Sequence, residues 1–464
     1  MAQMAVRRTK RDVDMTQGNI GKLLIQFSLP LLVGNLFQHL YNMVDTWVVG
    51  NYVSNVAYSA VGTMGPILNM LIGLFAGFAS GAGVVISQYY GAKLMDKVRQ
   101  TVHTALILTF VLGLLLTTFG LSMIPTALRL IKMPAEAVPD ATTYLTILFS
   151  GIMAQMLYNI GAGILRAVGD SRRPFYFLMV AAFTNIVLDL LFVIRYDMGV
   201  AGVAWATIIS QIISAILVLI TLMANESVVQ VKLRWLQVDW AILKKILRLG
   251  LPAGIQLAVT AFSNIFVQSY INFFGTNCMS GWTTYAKVDQ LMFLPMQSIS
   301  LACTTFVGQN LGMGNVARAK QGVRTAIRMS LAITAVILLP LMLFAPEITA
   351  FFNSEPEVIR YGTLLLRLLS PFYLLCCLNQ IYSSALRGAG NTRAPMVMML
   401  GSFVLFRQTY LFIMANFISN TLIPIAMAYP AGWLVCSLAN AIYYRKTPLD
   451  RYRVVESSPA AKQQ

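Results

Sequence analysis

Apolar stretches of about 20 residues or more recur twelve times along the chain, each ending at a short polar or basic segment. One such stretch is enough to cross a hydrocarbon layer of about 30 Å. Lipid offers backbone N–H and C=O groups no partners, so spanning segments are helices or strands of a closed barrel. Barrel strands alternate polar and apolar positions over about 10 residues, and these stretches do not alternate. The pattern therefore predicts helices over 23–49, 57–88, 100–124, 138–164, 174–195, 199–224, 244–274, 282–308, 322–346, 357–385, 395–418 and 421–444.

The chain also matches itself. QYYGAKLMDKVRQTVHTA (88–105) falls on QNLGMGNVARAKQGVRTA (309–326) at an offset of 221, and LRAVGDSRRP (165–174) falls on LRGAGNTRAP (386–395) at the same offset. GKLLIQFSLP (21–30) falls on LKKILRLGLP (243–252) at an offset of 222. Six spans per half is an even number, so both halves enter from the same side and form a parallel repeat. The expected fold class is an all-α integral membrane protein with twelve transmembrane helices in two pseudo-symmetric six-helix bundles. The expected division is an N-terminal lobe over 1–224, a polar linker over 225–243, a C-terminal lobe over 244–446 and a disordered tail over 447–464.

Composition agrees. Apolar residues make up 57% and charged residues 11%, against roughly 25% charged in soluble domains, and the mean hydropathy is +0.69. A net charge of +17 raises nucleic acid as a partner, but its distribution argues against that. Of 34 Lys and Arg, 27 lie at the termini and the even-numbered connections, while the odd-numbered connections hold only Arg129, Lys132, Arg195 and Arg360. By the positive-inside rule both termini are cytoplasmic, and the basic excess faces anionic membrane lipid. The first apolar stretch is too long for a cleavable signal peptide and belongs to the repeat. Of the five cysteines, Cys278 is expected in an outer loop and the rest in spans; their spacing is neither a disulfide framework nor a zinc site. The two histidines, His39 and His103, form no triad or metal pair, and no Gly-Lys-Ser/Thr phosphate loop is present. The reading is not an enzyme, with no cofactor.

Apart from Asp140 and Glu357 at the outer ends of their spans, three of 17 acidic residues fall inside predicted spans: Asp45, Asp189 and Asp289. A carboxylate in hydrocarbon is costly and usually marks an ion or proton path. Asn185 precedes Asp189 by one helical turn and shares its face, and Thr207 lies on the next span. Two carboxylates, an amide and a hydroxyl offer only oxygen ligands, the chemistry of a hard cation such as Na+ or of a shared proton. The second half lacks this charge: Val267 answers Asp45 and Tyr410 answers Asp189. A cation site is therefore expected in the first half alone. Asp289 follows Lys287 near one end of its span, which leaves room for a local structural role. Arg367 and Arg407 also sit within spans, and a paired structural role for Arg407 is as good a reading as a substrate role. Phe37, Tyr41, Asn42, Met64, Gln155, Asn159, Gln256, Asn264, Asp289 and Arg407 are candidates to line a substrate cavity.

Together SLPLLVGNLFQHLYNMVDTWVVG (28–50), the two Q-x-x-G basic loops and the paired LRAVGDSRRP and LRGAGNTRAP segments resemble the multidrug and toxic compound extrusion (MATE) family, over residues 18 to 446. The resemblance implies a prokaryotic inner-membrane exporter of small-molecule drugs or metabolites, working as a monomer by alternating access in exchange for H+ or Na+. Asp45, Asn185, Asp189 and Thr207 match the N-lobe cation site of the family's DinF-like branch. The NorM-like branch places acidic residues in the C-terminal lobe; the seventh span has none, and the tenth has only Glu357 at its outer end. The alternative is a lipid-linked oligosaccharide flippase of the same superfamily, which would line its cavity with Arg and Lys to hold pyrophosphate.

Overall fold

The computed structural model describes residues 14–53, 55–130, 133–224 and 228–455, with the side chains of 55–71 and of 130, 233, 262 and 265 left aside. Among the described residues, twelve helices are long and apolar enough to cross a membrane. They are α1 (Ile20–Tyr52), α2 (Asn55–Gly91), α3 (Met95–Leu130), α4 (Val138–Ala167), α5 (Arg172–Arg195) and α6 (Gly199–Ala224). The second set is α7 (Trp240–Asn272), α8 (Thr276–Met313), α9 (Val316–Leu343), α10 (Pro356–Gly388), α11 (Arg393–Ile418) and α12 (Leu422–Lys446). A short helix, Ala345–Phe352, lies between α9 and α10. The predicted helices are all present, and several run past their apolar cores because polar end turns continue the same backbone hydrogen bonding. Cys278, expected in a loop, lies in the first turn of α8 and is fully buried.

The side chains turn outward as lipid requires. On α9 Val336, Leu339 and Leu343 are each more than 65% exposed. In a soluble core these would be covered; here they present hydrocarbon to hydrocarbon. By contrast α8 is mostly buried, packed against α9 and α10, and α4 holds the equivalent place against α2, α3 and α6.

The chain forms two compact units. The described part of unit 1 is Leu29–Leu251; unit 2 is Met15–Ser28 with Pro252 onward. Both divisions fall just before the proline of the repeated S/G-L-P motif, at Pro30 and Pro252. In unit 2 the amino-terminal segment is fastened by Met15 N–H to Gln309 Oε1 (3.1 Å), Asn310 Nδ2 to Met15 O (3.1 Å) and Arg318 Nη2 to Gly18 O (2.8 Å). In unit 1 the start of α7 is fastened by Lys245 Nζ to the Tyr89 hydroxyl (3.0 Å). Residues 447–455, expected to be disordered, are instead packed: Leu449 is buried and Arg453 donates to Gly312 O (2.8 Å).

The repeat is legible in the turns bond by bond. After α4, Gly169 takes φ 98° and Asp170 N–H reaches Leu165 O (3.0 Å); after α10, Gly390 takes φ 90° and Asn391 N–H reaches Leu386 O (2.9 Å). The next residue then caps the following helix in both copies, through Asp170 Oδ1 to Arg172 and Arg173 N–H and through Asn391 Oδ1 to Ala394 N–H (3.1 Å each).

Candidate functional site

The site in unit 1 begins with a helix that loosens. α5 is α-helical to Asp189 and then widens into a π-helical turn, Leu190–Arg195, a form that in other proteins gathers at functional sites. Asn185 and Asp189 occupy one face, and both are fully buried. A valine layer fixes what that face meets. Val48 and Val49 of α1, Val193 of α5 and Val203 of α6 pack together with Tyr144 of α4. One turn from this layer, on the same side in each helix, stand Asp45, Asp189 and Thr207.

The Asp45 carboxyl faces both Asp189 and Asn185, and Tyr41 and Tyr144 lie in electrostatic range of it. No basic residue among those described pairs with either carboxylate. Asp45 Oδ1, both carboxylate oxygens of Asp189 and both polar atoms of Asn185 are buried without a partner in hydrogen-bonding geometry. Buried polar atoms normally find partners; here Asp45 meets Asp189 and Asn185, and five atoms of the three lack a well-aligned one. The donor set is oxygen-rich, two carboxyls and an amide with no basic partner, which fits a proton or a hard monovalent cation. Thr207 spends its hydroxyl hydrogen on Val203 O (3.0 Å), which leaves the oxygen's lone pairs as acceptors.

The other expected residues divide into separate groups. Gln155 and Asn159 of α4 line a small cavity of about 20 Å³ in unit 1, walled mainly by Ile72, Phe75, Phe78 and Thr109. Tyr41 is buried beside Gln38 and Gln211, Phe37 is half-buried and Asn42 is exposed. The side chain of Met64 lies outside the described residues.

In unit 2 the polar residues build a second centre. Asp289 is well inside α8 rather than near its end, and Lys287 turns away to lie over the Phe352 ring (5.4 Å). Asp289 Oδ1 instead accepts hydrogen bonds from the hydroxyls of Tyr373 (2.7 Å) and Tyr285 (3.2 Å). Arg407 is 2% exposed; its Nη2 donates to Ser263 Oγ and Asn264 Oδ1 (2.8 Å each) and its guanidinium lies over Tyr429 (4.8 Å). Gln256 contacts the Met399 sulfur.

Sequence reasoning missed Tyr144, Gln211, Tyr285, Tyr373 and Tyr429. Tyr285 was findable, since it precedes Asp289 by one turn. Tyr144, Gln211, Tyr373 and Tyr429 come from distant helices, and no local pattern marks them.

Comparison with known proteins fits this architecture. The MatE family profile matches twice, over residues 30–191 and 252–413. A probable multidrug resistance protein of Bacillus subtilis, YoeA, is 29% identical over 426 residues, covering 90% of this chain and 92% of its own. The probable multidrug resistance protein NorM of Thermotoga maritima is 27% identical over 451 residues, covering 94% and 96%. Among solved structures, a MOP superfamily transporter from Pyrococcus furiosus, described as having a binding pocket of reverse polarity, superposes with a TM-score of 0.90 at 25% identity, covering 95% of this chain and 98% of its own. An outward-facing multidrug resistance MATE transporter gives 0.89 at the same identity and coverage. With both halves of the chain matched and each organised as the same six-helix bundle, the protein belongs to the multidrug and toxic compound extrusion family.

Proposed function

We propose that the protein is a secondary active exporter of cationic or amphipathic small molecules. It exchanges them for H+ or Na+ through a cation site in unit 1, as in the DinF-like branch of the family. The observation that carries this reading is the unneutralised Asp45–Asn185–Asp189 cluster with its five unpartnered polar atoms. Two ionised carboxylates that face each other repel, and a shared proton or a bound Na+ relieves the repulsion. Binding therefore draws α1 towards α5, and release lets them part. An ion can drive alternating access only by binding the two conformations unequally, and this contact between a proline-bearing helix and a π-turn is a suitable element to be biased. Both termini face the cytoplasm in this reading.

The flippase reading is weaker. Arg407, the one basic residue fully enclosed in unit 2's polar centre, is already engaged by Ser263, Asn264 and Tyr429 rather than offered to a pyrophosphate.

The test is ethidium export from proteoliposomes under a pH gradient and a sodium gradient imposed separately. One gradient is expected to drive export, and Asp45→Asn and Asp189→Asn should each reduce it to background while the proteins elute and melt as folded. Undiminished export by both variants would remove the proposed site.

A further inference from the structure

A groove opens on unit 1 where α3 and α7 begin, lined by Asp96, Arg99 and His103 of α3, by Arg234, Trp235 and Asp239 of the connection, and by Trp240. The connection is held in place rather than draped. His103 is buried; its Nδ1 lies 2.7 Å from Arg99 O and its Nε2 3.3 Å from the Lys232 amide. Nδ1 therefore carries the hydrogen and donates to the carbonyl, and Nε2 accepts from the amide. Further along, Asp239 N–H donates to Thr104 Oγ1 (3.2 Å). Between these two fixings Trp235 projects, with Lys232 Nζ 4.5 Å and the Arg99 guanidinium 5.9 Å from its ring centre.

The charges do not cancel. Asp96 is paired with Arg99 (3.7 Å). Asp239 is paired with Lys97 (3.4 Å) and caps α7; the Ile242 amide, with help from Lys97, holds its carboxyl below the usual range. Lys232 and Arg234 have no acidic partner among the described residues. Beside them Trp240, the first residue of a spanning helix, is 78% exposed and Trp235 is 45% exposed. Indoles at a helix mouth sit at headgroup depth, and this is the face assigned to the cytoplasm, where anionic lipid is concentrated.

We propose that this groove seats the headgroup of one anionic phospholipid, its phosphodiester on Arg234, with Lys232 beside the Trp235 ring at the groove's edge, and its glycerol against Trp235 and Trp240. A zwitterionic headgroup would bring its own cation against two uncompensated ones and bind less well. A soluble phosphate would meet the same cations but leave the indoles in water.

The test is native mass spectrometry of the detergent-solubilised protein titrated with phosphatidylglycerol or phosphatidylcholine. The expected result is preferential phosphatidylglycerol binding that weakens roughly thirtyfold in Lys232→Ala/Arg234→Ala, about 1 kcal/mol per lost cation; both substitutions keep the Lys232 amide that His103 holds. Lys320→Ala/Arg328→Ala, which removes the same charge from α9, should bind as the unsubstituted protein does. Equal binding of the two lipids, undiminished binding by the groove variant, or equal loss in the α9 variant would overturn the proposal. So would displacement of the lipid by millimolar glycerol phosphate, which would point to a soluble ligand. A melting profile for each variant guards against loss by unfolding.

Discussion

Each unit of this protein carries a buried polar centre among its described residues, and the two are finished differently. In unit 1 two carboxylates and an amide face each other with no basic partner, and five of their polar atoms are unsatisfied. In unit 2 one carboxylate takes two tyrosyl hydrogen bonds, and one guanidinium lies on Tyr429, a ring that also stands in electrostatic range of Asp289. Trp282, Trp433 and Tyr373 pack the space around it. Only Arg407 Nε and Gln256 Oε1 among those side chains lack partners. The repeat gave both units the same helices but not the same residues: the counterparts of Asp289, Arg407 and Tyr429 at the 221-residue offset are Leu68, Ile186 and Ile208. A centre that sums to zero and is hydrogen-bonded holds helices together. Two carboxyls without a basic partner leave room for a proton or an ion.

The largest expected effect breaks or keeps this contrast directly. Asp45→Asn or Asp189→Asn should abolish gradient-driven export, whereas Asp289→Asn should keep it within about fivefold, since an amide oxygen still accepts both tyrosyl hydrogens and the loss is on the ~1 kcal/mol scale of one hydrogen bond's charge assistance. Parallel proteoliposome assays settle it. Loss of export in Asp289→Asn equal to that in Asp45→Asn would make unit 2 an equal partner in coupling and end the distinction.

The sequence announced much of this. Spans, the parallel repeat and the pair Asn185–Asp189 followed from apolar length and helical period, because those depend only on spacing along one helix. Asp289 was seen but misread: its apparent closeness to a span end and to Lys287 reflected an underestimated α8, whose polar first turn hides the true start. Its real partners include Tyr373, 84 residues away. The surroundings of Arg407 were equally hidden, because Ser263 and Tyr429 reach it only when α7, α11 and α12 pack together. Contacts between helices are written in three dimensions, and one sequence carries only the faces.

Next in size is the guanidinium. Arg407→Ala empties a buried site and uncovers the Tyr429 ring face, while Ser263 Oγ keeps its bonds to Phe403 O and Gln408 Nε2; it should lower unfolding stability by about 3 kcal/mol, read as a fall in the melting midpoint in detergent. Export per folded molecule should persist. A variant that melts normally but no longer exports would turn Arg407 from scaffold into transport machinery. Smaller still, Tyr373→Phe removes the 2.7 Å bond to Asp289 and should cost about 2 kcal/mol. Tyr285→Phe, acting through the longer 3.2 Å bond, should cost less; the reverse order would mean that Tyr373 is held by its ring packing rather than by the carboxylate.

The smallest effect tests the repeat itself, where the two units can be compared with no polar centre involved. Lys93 and Gly314 are counterparts at the turn joining the second and third helices of each half. Lys93 N–H reaches Tyr90 O and Gly314 N–H reaches Leu311 O, both at 3.0 Å. The turn needs a left-handed residue, and unit 1 fills the place with a lysine at φ 59° where unit 2 uses a glycine at φ 90°. A side chain in that region costs about 1 kcal/mol, partly offset by the greater freedom glycine has when unfolded. Lys93→Gly should therefore raise stability by roughly 0.5 kcal/mol and leave export unchanged. Gly314→Lys should lower it by a similar or larger amount, because the lysine would also stand near Arg453 Nη1, 3.8 Å from its added Cβ. If both substitutions destabilise, the two turns are not interchangeable, and the lysine is kept at position 93 for a contact of its own rather than tolerated as a strained copy.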